Sequence, residues 1–382
     1  LPAEAQSDAT REWRVRIAVA QGNWKAARAA INALSPDQLQ RDEWRDWRAR
    51  VAQKLGQADT ARDDYAALAQ QATFYGFLAA DRAGLPYTIC PETIPADAIA
   101  DAKIKAIPGF ARAFEFFALG MLHSARREWS RAFQDLSPPE QRQAAALASR
   151  MGWYDRAIFA FGKSGDLQYY ALRFPLADED RVLEAAQAAG IDPAWTFAII
   201  RAETAWQPDA RSGADARGLM QLLPGTAELV SRRSGLPYPG PSSLYDPDVN
   251  IPLGTRYLAH LGMRFNGSPW LTSAAYNAGP GNAQRWVDAR GNLDPEVFIL
   301  TIPFNETRDY VTRVMSFATI YGWRLHGAPM AVSSRLPAIG TPYDPAVDPP
   351  RKQVVCKTPA PAAPAASTAT PATPAPARSA SQ

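Results

Sequence analysis

The sequence predicts a mainly α-helical protein, with an array of helix pairs and linker helices leading into a site-bearing helical domain. Three observations predict it. Apolar residues recur at helical spacing through most of the first 170 residues. A Gly-x4-Ala pattern repeats at a 34-residue interval near the start. After about residue 173 the composition shifts toward Gly, Pro, Asn and Tyr, which suits functional loops.

At 382 residues the chain is too long for one compact core. Its 41 Lys+Arg against 38 Asp+Glu leave a net charge of +3, and no basic block or aromatic-interleaved Arg/Lys run points to nucleic acid. His123, His260, His326, Cys90 and Cys356 are widely scattered, with no metal-ligand spacing and no Cys/His nucleophile pair, so neither metal nor cofactor is expected. No apolar stretch is long enough to span a bilayer. The chain opens at Leu1 with no charged-then-apolar leader, which fits a processed mature protein or a fragment.

In order, Arg11–Ala20 and Trp24–Leu34 read as amphipathic helices. Gly22-Asn-Trp-Lys-Ala-Ala27 recurs as Gly56-Gln-Ala-Asp-Thr-Ala61, with a weaker echo at Gly152-Trp-Tyr-Asp-Arg-Ala157. That is the period of a tetratricopeptide-type helix pair. Residues 1–75 are thus expected to form a partial helical superhelix and 76–172 a helical linker domain. Within the linker, Phe110–Leu122 is apolar enough for a buried helix, and Ser137-Pro138-Pro139 is a helix start. Arg173-Phe174-Pro175 marks a boundary, with Asp178 or Asp180 able to cap the helix over Val182–Ala189. A small β-element would fall near 235–250, among Pro237, Pro239, Pro241 and Pro247. Residues 328–382 read as a Pro/Ala-rich, largely disordered tail.

The chemistry centres on Ile199-Ile200-Arg201-Ala202-Glu203-Thr204-Ala205-Trp206. Asp192 and Pro193 open a helix, Asp192 as N-cap and Pro193 at the first position. Thr196, Ile199 and Ile200 then share a face with Glu203. A carboxyl packed against Ile and Trp is desolvated, which raises its pKa toward what a general acid needs. Taken alone, a Glu near a helix end is an ordinary solvated charge.

Four further segments change that reading: Ala210-Arg211-Ser212-Gly213; Gly218-Leu219-Met220-Gln221-Leu222-Leu223-Pro224; Ala275-Tyr276-Asn277-Ala278-Gly279-Pro280-Gly281; and Pro303-Phe304-Asn305-Glu306-Thr307-Arg308-Asp309-Tyr310-Val311. Each is a loop leading into or out of a helix. Together they offer an amide (Gln221), hydroxyls (Ser212, Tyr276), a second carboxylate (Glu306) and an apolar floor (Met220, Leu223), which suits gripping a sugar chain. Asn305 can cap the helix that presents Glu306, and Asp209 and Asp215 look like loop caps.

In order and spacing these segments resemble the soluble lytic transglycosylases, a periplasmic branch of the goose-type-lysozyme-like family. Gly218 follows Glu203 by 15 residues and Tyr276 by 73. Asp42-Glu-Trp-Arg-Asp-Trp, Phe74-Tyr-Gly-Phe, Arg126-Arg-Glu-Trp and Arg173-Phe-Pro-Leu extend the likeness upstream. The resemblance implies a lysozyme-like catalytic domain over residues 173–327 and a curved helical platform beneath it. It makes Glu203 the single catalytic acid/base, and Ser212, Gln221, Leu223, Tyr276 and Glu306 residues of the saccharide cleft. Thr204 stands where the family commonly has Ser, and Leu223 where it commonly has Met.

The resemblance further implies cleavage of the bond between N-acetylmuramic acid and N-acetylglucosamine in peptidoglycan strands, leaving 1,6-anhydromuramoyl ends. It implies a periplasmic monomer, with Tyr276 orienting Glu203 or the substrate's N-acetyl group. Two other readings remain at this point: a muramidase- or chitinase-type hydrolase using water and a second carboxylate, and an inactive helical scaffold that only binds glycan.

Overall fold

The computed structural model describes residues 7–344 and 351–356. Among these are twenty α-helices and two two-residue strands, so the mainly α expectation holds.

Helices α1 (Asp8–Ala20), α2 (Trp24–Asn32), α3 (Pro36–Gln40), α4 (Asp42–Lys54) and α5 (Ala58–Leu68) form the first array. The repeated glycines occupy equivalent turns. Gly22 and Gly56 are left-handed, at φ 66° and 80°. The next residue donates its N–H to a carbonyl five residues back: Asn23 to Ala18 at 2.9 Å and Gln57 to Ala52 at 3.0 Å. Left-handed backbone followed by this bond is a helix-ending motif that glycine adopts without steric cost. Gly152 and Trp153 repeat it. Ala27, Ala61 and Ala157 are all buried, so the small residue of the pattern is where paired helices approach.

After α6 (Phe74–Arg82), the linker region runs through α7 (Ala98–Ala106), α8 (Pro108–Ala118), α9 (Leu122–Phe133), α10 (Pro138–Arg150), α11 (Tyr154–Ser164) and α12 (Tyr170–Arg173). Its core is aromatic: Phe110, Phe114, Trp129 and Trp153 meet edge to face at 4.9–6.4 Å. The apolar run at 110–122 is not one helix. It turns at Gly120, and Leu119 and Met121 point to solvent. Apolar composition alone does not reveal that left-handed turn. Ser137 caps α10 as expected, reciprocated by Glu140.

The third region holds α13 (Glu179–Ala189), α14 (Pro193–Thr204), α15 (Pro224–Ser234), α16 (Pro247–Arg264), α17 (Pro269–Ala278), α18 (Pro280–Arg290), α19 (Pro295–Leu300) and α20 (Asn305–His326). α14 and α20 pack together at its centre through Phe197, Ile200, Tyr310, Val314 and Tyr321. The first array grips α19. Val297 and Leu300 enter the core of Val15, Trp44 and Trp47, and the Arg16 guanidinium donates to the Leu300 carbonyl at 3.1 Å. Arg50 and Arg82 both pair with Glu296.

Several local expectations are corrected. Residues 235–250 contain a 3-10 turn, Pro241–Tyr245, and no strand. The β-type pairing lies instead in bridges among Arg211, Arg217 and Leu222, and in a parallel pair, β1 (Tyr87–Thr88) with β2 (Val354–Val355). Asp178 precedes α13, but its carboxylate pairs with Arg181 instead of capping.

The described parts of the segment after residue 327, 328–344 and 351–356, read from composition as the start of a disordered tail, pack as a strap. Val332 and Arg335 are buried, and the Pro337 carbonyl accepts from the Trp270 indole at 3.0 Å. The strap ends at a Cys90–Cys356 disulfide beside β1 and β2. Side chains packed from an irregular chain leave no periodic signature, and a pairing across 266 residues leaves no local one. The remainder of the tail, 345–350 and 357–382, lies outside the described residues.

Candidate active site

Glu203 sits one residue from the end of α14. Asp192 caps the start, accepting from the Ala194 N–H at 2.8 Å with Pro193 in the first turn, as the sequence predicts. The helix is buried from Ala194 to Ile200. It stops abruptly because Ala205 and Trp206 are both left-handed, at φ 52° and 67°. Non-glycine residues pay for that conformation, and it persists where packing holds it. Here Trp206 is buried, its indole donating to the Tyr321 hydroxyl at 3.2 Å. The Thr204 hydroxyl donates to the Leu219 carbonyl at 3.0 Å, tying the helix end to the next motif.

That motif is held by Asn250. Its carbonyl oxygen accepts from the Met220 N–H at 2.7 Å, and its amide donates to the Arg217 and Leu244 carbonyls at 2.9 Å each. Gly218 must be glycine: a Cβ there would lie 1.9 Å from the Leu244 carbonyl oxygen. Gln221 is left-handed, at φ 47°, and its amide donates to the Ala210 and Gly218 carbonyls at 3.2 and 3.0 Å. Its side-chain oxygen stays available to the cleft.

The Glu203 carboxyl opens on a cavity of about 430 Å³ lined by Gln221, Arg201, Arg211, Arg313, Phe317 and Phe159, among others. Burial pushes its pKa up to about 7. Two opposing effects are smaller. The Tyr310 hydroxyl donates to Oε1 at 2.6 Å, and the Arg313 cation favours the anion. The negative charge of Glu306 adds to the rise. Tyr310 occupies Oε1, so a proton on Glu203 sits on Oε2. The arrangement can deliver a proton near neutral pH and take one back.

The residues expected around Glu203 divide. Gln221 lines its cavity, whereas Ser212, Leu223, Tyr276 and Glu306 are not among the lining side chains. Ser212 turns inward on its own loop, accepting from the Ala216 N–H at 3.1 Å. Leu223 is exposed at the start of α15. Tyr276 does not bond to Glu203. Its hydroxyl donates to the Met220 carbonyl at 2.7 Å, though burial and the nearby Glu203 charge both hold its own pKa well up. Glu306 is exposed and accepts from Asn277 at 3.3 Å. Asn277 also accepts from the Thr307 hydroxyl at 2.7 Å, so it fastens the Tyr276 turn to α20. Met220 is core rather than cleft floor. Asn305 is the first residue of α20, not its cap, and accepts from Arg308.

Asp215 pairs with Arg211 and Arg217. Asp209 takes a two-pronged bond from Arg126 of α9 at 2.6 Å on each oxygen, and Arg126 also holds Asp155 of α11 at 3.1 Å. Sequence reasoning missed Tyr310, Arg313, Phe317 and Phe159. The inward spacing of Tyr310 on α20 is a signal, but it does not rank Tyr310 above Tyr276. Among the described residues, no group of three or more His, Cys, Asp or Glu is placed to hold a metal.

A buried acid on a lysozyme-like helical domain, mounted on a helical superhelix, defines the class. Residues 180–299 match the transglycosylase SLT domain, 103–168 the soluble lytic murein transglycosylase L domain, and 301–329 the soluble lytic transglycosylase helical domain. The soluble lytic murein transglycosylase of Escherichia coli K12 is 33% identical over 334 residues, covering 86% of this chain and 51% of that protein. The Salmonella typhimurium protein is 34% identical, covering 83% and 49%. Among solved structures, an inactive glutamate-to-glutamine mutant of lytic transglycosylase Slt from Pseudomonas aeruginosa aligns with a TM-score of 0.80 at 39% identity, covering 86% of this chain and 53% of that one. The 70 kDa soluble lytic transglycosylase of Escherichia coli aligns at 0.81 and 32%, covering 89% and 55%. The chain belongs to the soluble lytic transglycosylase family. It spans about half the length of the curated relatives it matches.

Proposed function

We propose that this protein is a peptidoglycan lytic transglycosylase with Glu203 as its single acid/base. The observation that carries the reading is a carboxyl held near pH 7 by burial, hydrogen-bonded by Tyr310 and open to a cleft. Neutral Glu203 protonates the oxygen bridging N-acetylmuramic acid and N-acetylglucosamine, and the glycosidic bond breaks. The resulting anion removes the proton from the muramic C6 hydroxyl, which closes onto C1. The product is a 1,6-anhydromuramoyl end, no water is consumed, and Glu203 regains its proton.

A hydrolase needs a second carboxylate to activate water or to attack C1. The carboxylate whose charge reaches Glu203 is Glu306, which is exposed and engaged with Asn277. That favours the one-acid route. Gln221 binds substrate beside the acid; Ser212, Leu223, Tyr276 and Glu306, outside that cavity, are proposed as substrate-binding residues farther along the glycan strand. The protein acts as a monomer on glycan strands, without nucleic acid, metal or cofactor.

A periplasmic location is supported by the Cys90–Cys356 bond, which suits an oxidising compartment. No helix among the described residues is long and apolar enough to cross a membrane.

The test is mass spectrometry of fragments released from purified peptidoglycan by the native protein and by Glu203→Gln. Gln keeps the shape but cannot donate and recover a proton, so turnover should fall by about 10²–10⁴-fold with the fold intact. Anhydro ends from the native protein alone are expected. Reducing ends, one water heavier, would replace the reading with a hydrolase.

A further inference from the structure

The wall of the cleft facing Glu203 includes a residue from outside the lysozyme-like domain. Phe159 lies on α11, in the linker region. That helix buries Ala157 and Phe161 against the linker helices and Ile158 in the central core, while Phe159 stays exposed. It is 48% exposed, on the side that lines the cavity with Glu203. The Arg156 guanidinium lies within cation–π range of both Trp153 and Phe159, its central carbon 5.8 and 5.6 Å from the two ring centroids. Arg156 is nearly buried and bonds to Asp155 at 2.9 Å.

The same Asp155 anchors Arg126, which clamps Asp209 on the loop leading to Gln221. One chain of contacts therefore links the aromatic ring to the catalytic loop. A half-exposed aromatic face in a cleft of about 430 Å³ is a platform for a flat, C–H-rich ligand. The apolar face of a pyranose ring is such a ligand.

We propose that Phe159 is a substrate-contact residue on which a sugar ring of the glycan strand rests, so that the cleft is completed by the linker region. Arg126 is then a positioning residue, acting through Asp209 and Asp155. The inference rests on the glycan-cleaving reading above and adds a binding surface to it.

Initial rates on soluble glycan strands over a range of concentrations test it, with native protein, Phe159→Ala and Phe159→Tyr. Loss of the ring should raise KM by about tenfold and leave kcat within about twofold. Tyr keeps the face and should restore native KM. An unchanged KM, a fall in kcat alone, or failure of Tyr to restore would overturn it. Direct titration of glycan onto Glu203→Gln, with and without Phe159→Ala, reads binding without turnover. Roughly tenfold weaker binding in the double variant is expected, and equal binding would overturn this inference alone. No turnover by the native protein and no binding to Glu203→Gln would instead overturn the glycan-cleaving reading beneath it.

Discussion

α14 carries one acid at each end, and the two are treated oppositely. Asp192, at the start, has its caps and its counter-ion: it accepts the Ala194 N–H and pairs with the buried Arg335 at 2.6 Å. Glu203, near the end, is half-buried beside the cleft, takes its hydrogen bond from the Tyr310 phenol and makes no ion pair among the described residues. The difference separates a carboxylate that builds the fold from a carboxyl kept ready for a proton. A raised pKa does not make that distinction alone. Asp46 in the first array is also pushed up, to about 6, by burial, yet it is fully enclosed and bonded to Arg82 at 2.5 Å. Access to a cavity, and a phenol rather than an ion pair as its direct partner, set Glu203 apart.

The sharpest way to break the comparison is at the Asp192 end. Arg335→Ala leaves a partly buried carboxylate without its cation and should cost about 3–5 kcal/mol, read as a large fall in melting temperature. The folded fraction should cleave glycan at the native rate; a selective loss of kcat would mean that the two ends are not separate in role.

Tyr310→Phe comes next. It removes the hydrogen bond that favours the anion, so the Glu203 pKa should rise further above about 7, and the high-pH limb of the kcat/KM profile should move up with it. Roughly tenfold slower turnover is expected from the lost orientation of the acid. A limb that stays in place would remove Tyr310 from the mechanism.

The smallest effect is on stability. The folded pKa of Glu203 lies above the ordinary glutamate value of 4.5. Its contribution to stability is therefore full below about pH 4.5 and is lost as pH rises through about 7. Gln at this position does not ionise. Glu203→Gln should thus gain on the native protein between pH 5 and pH 8, by roughly a few degrees in melting temperature. A gap that does not change with pH would mean that the carboxyl is solvated.

Much of this was legible in the sequence because it is local. The Asp192-Pro193 start, the apolar face leading to Glu203, the glycine turns at Gly22 and Gly56, and the Ser137 cap each depend on residues within about one helical turn. What stayed hidden is long-range. Arg126 finds Asp209 across 83 positions and Tyr310 finds Glu203 across 107. Two tyrosines near one acid read alike until their hydroxyls are placed, and the one expected to face Glu203 bonds to Met220 instead. The strap hid for another reason: Val332, Arg335 and Leu336 are buried from a single short 3-10 turn and its end, and composition counts the surrounding prolines without seeing these contacts.

The bond between Cys90 and Cys356 turns the intervening 266-residue stretch into a closed covalent ring that contains the linker helices, the cleft and Glu203. Cutting a ring once opens it without dividing it. A protease that nicks any exposed turn between those cysteines, such as the Leu119–Met121 corner, leaves both fragments attached. The nicked protein would migrate as one species until a thiol reductant separates the pieces, so damage in a protease-rich setting need not release the catalytic end from its platform.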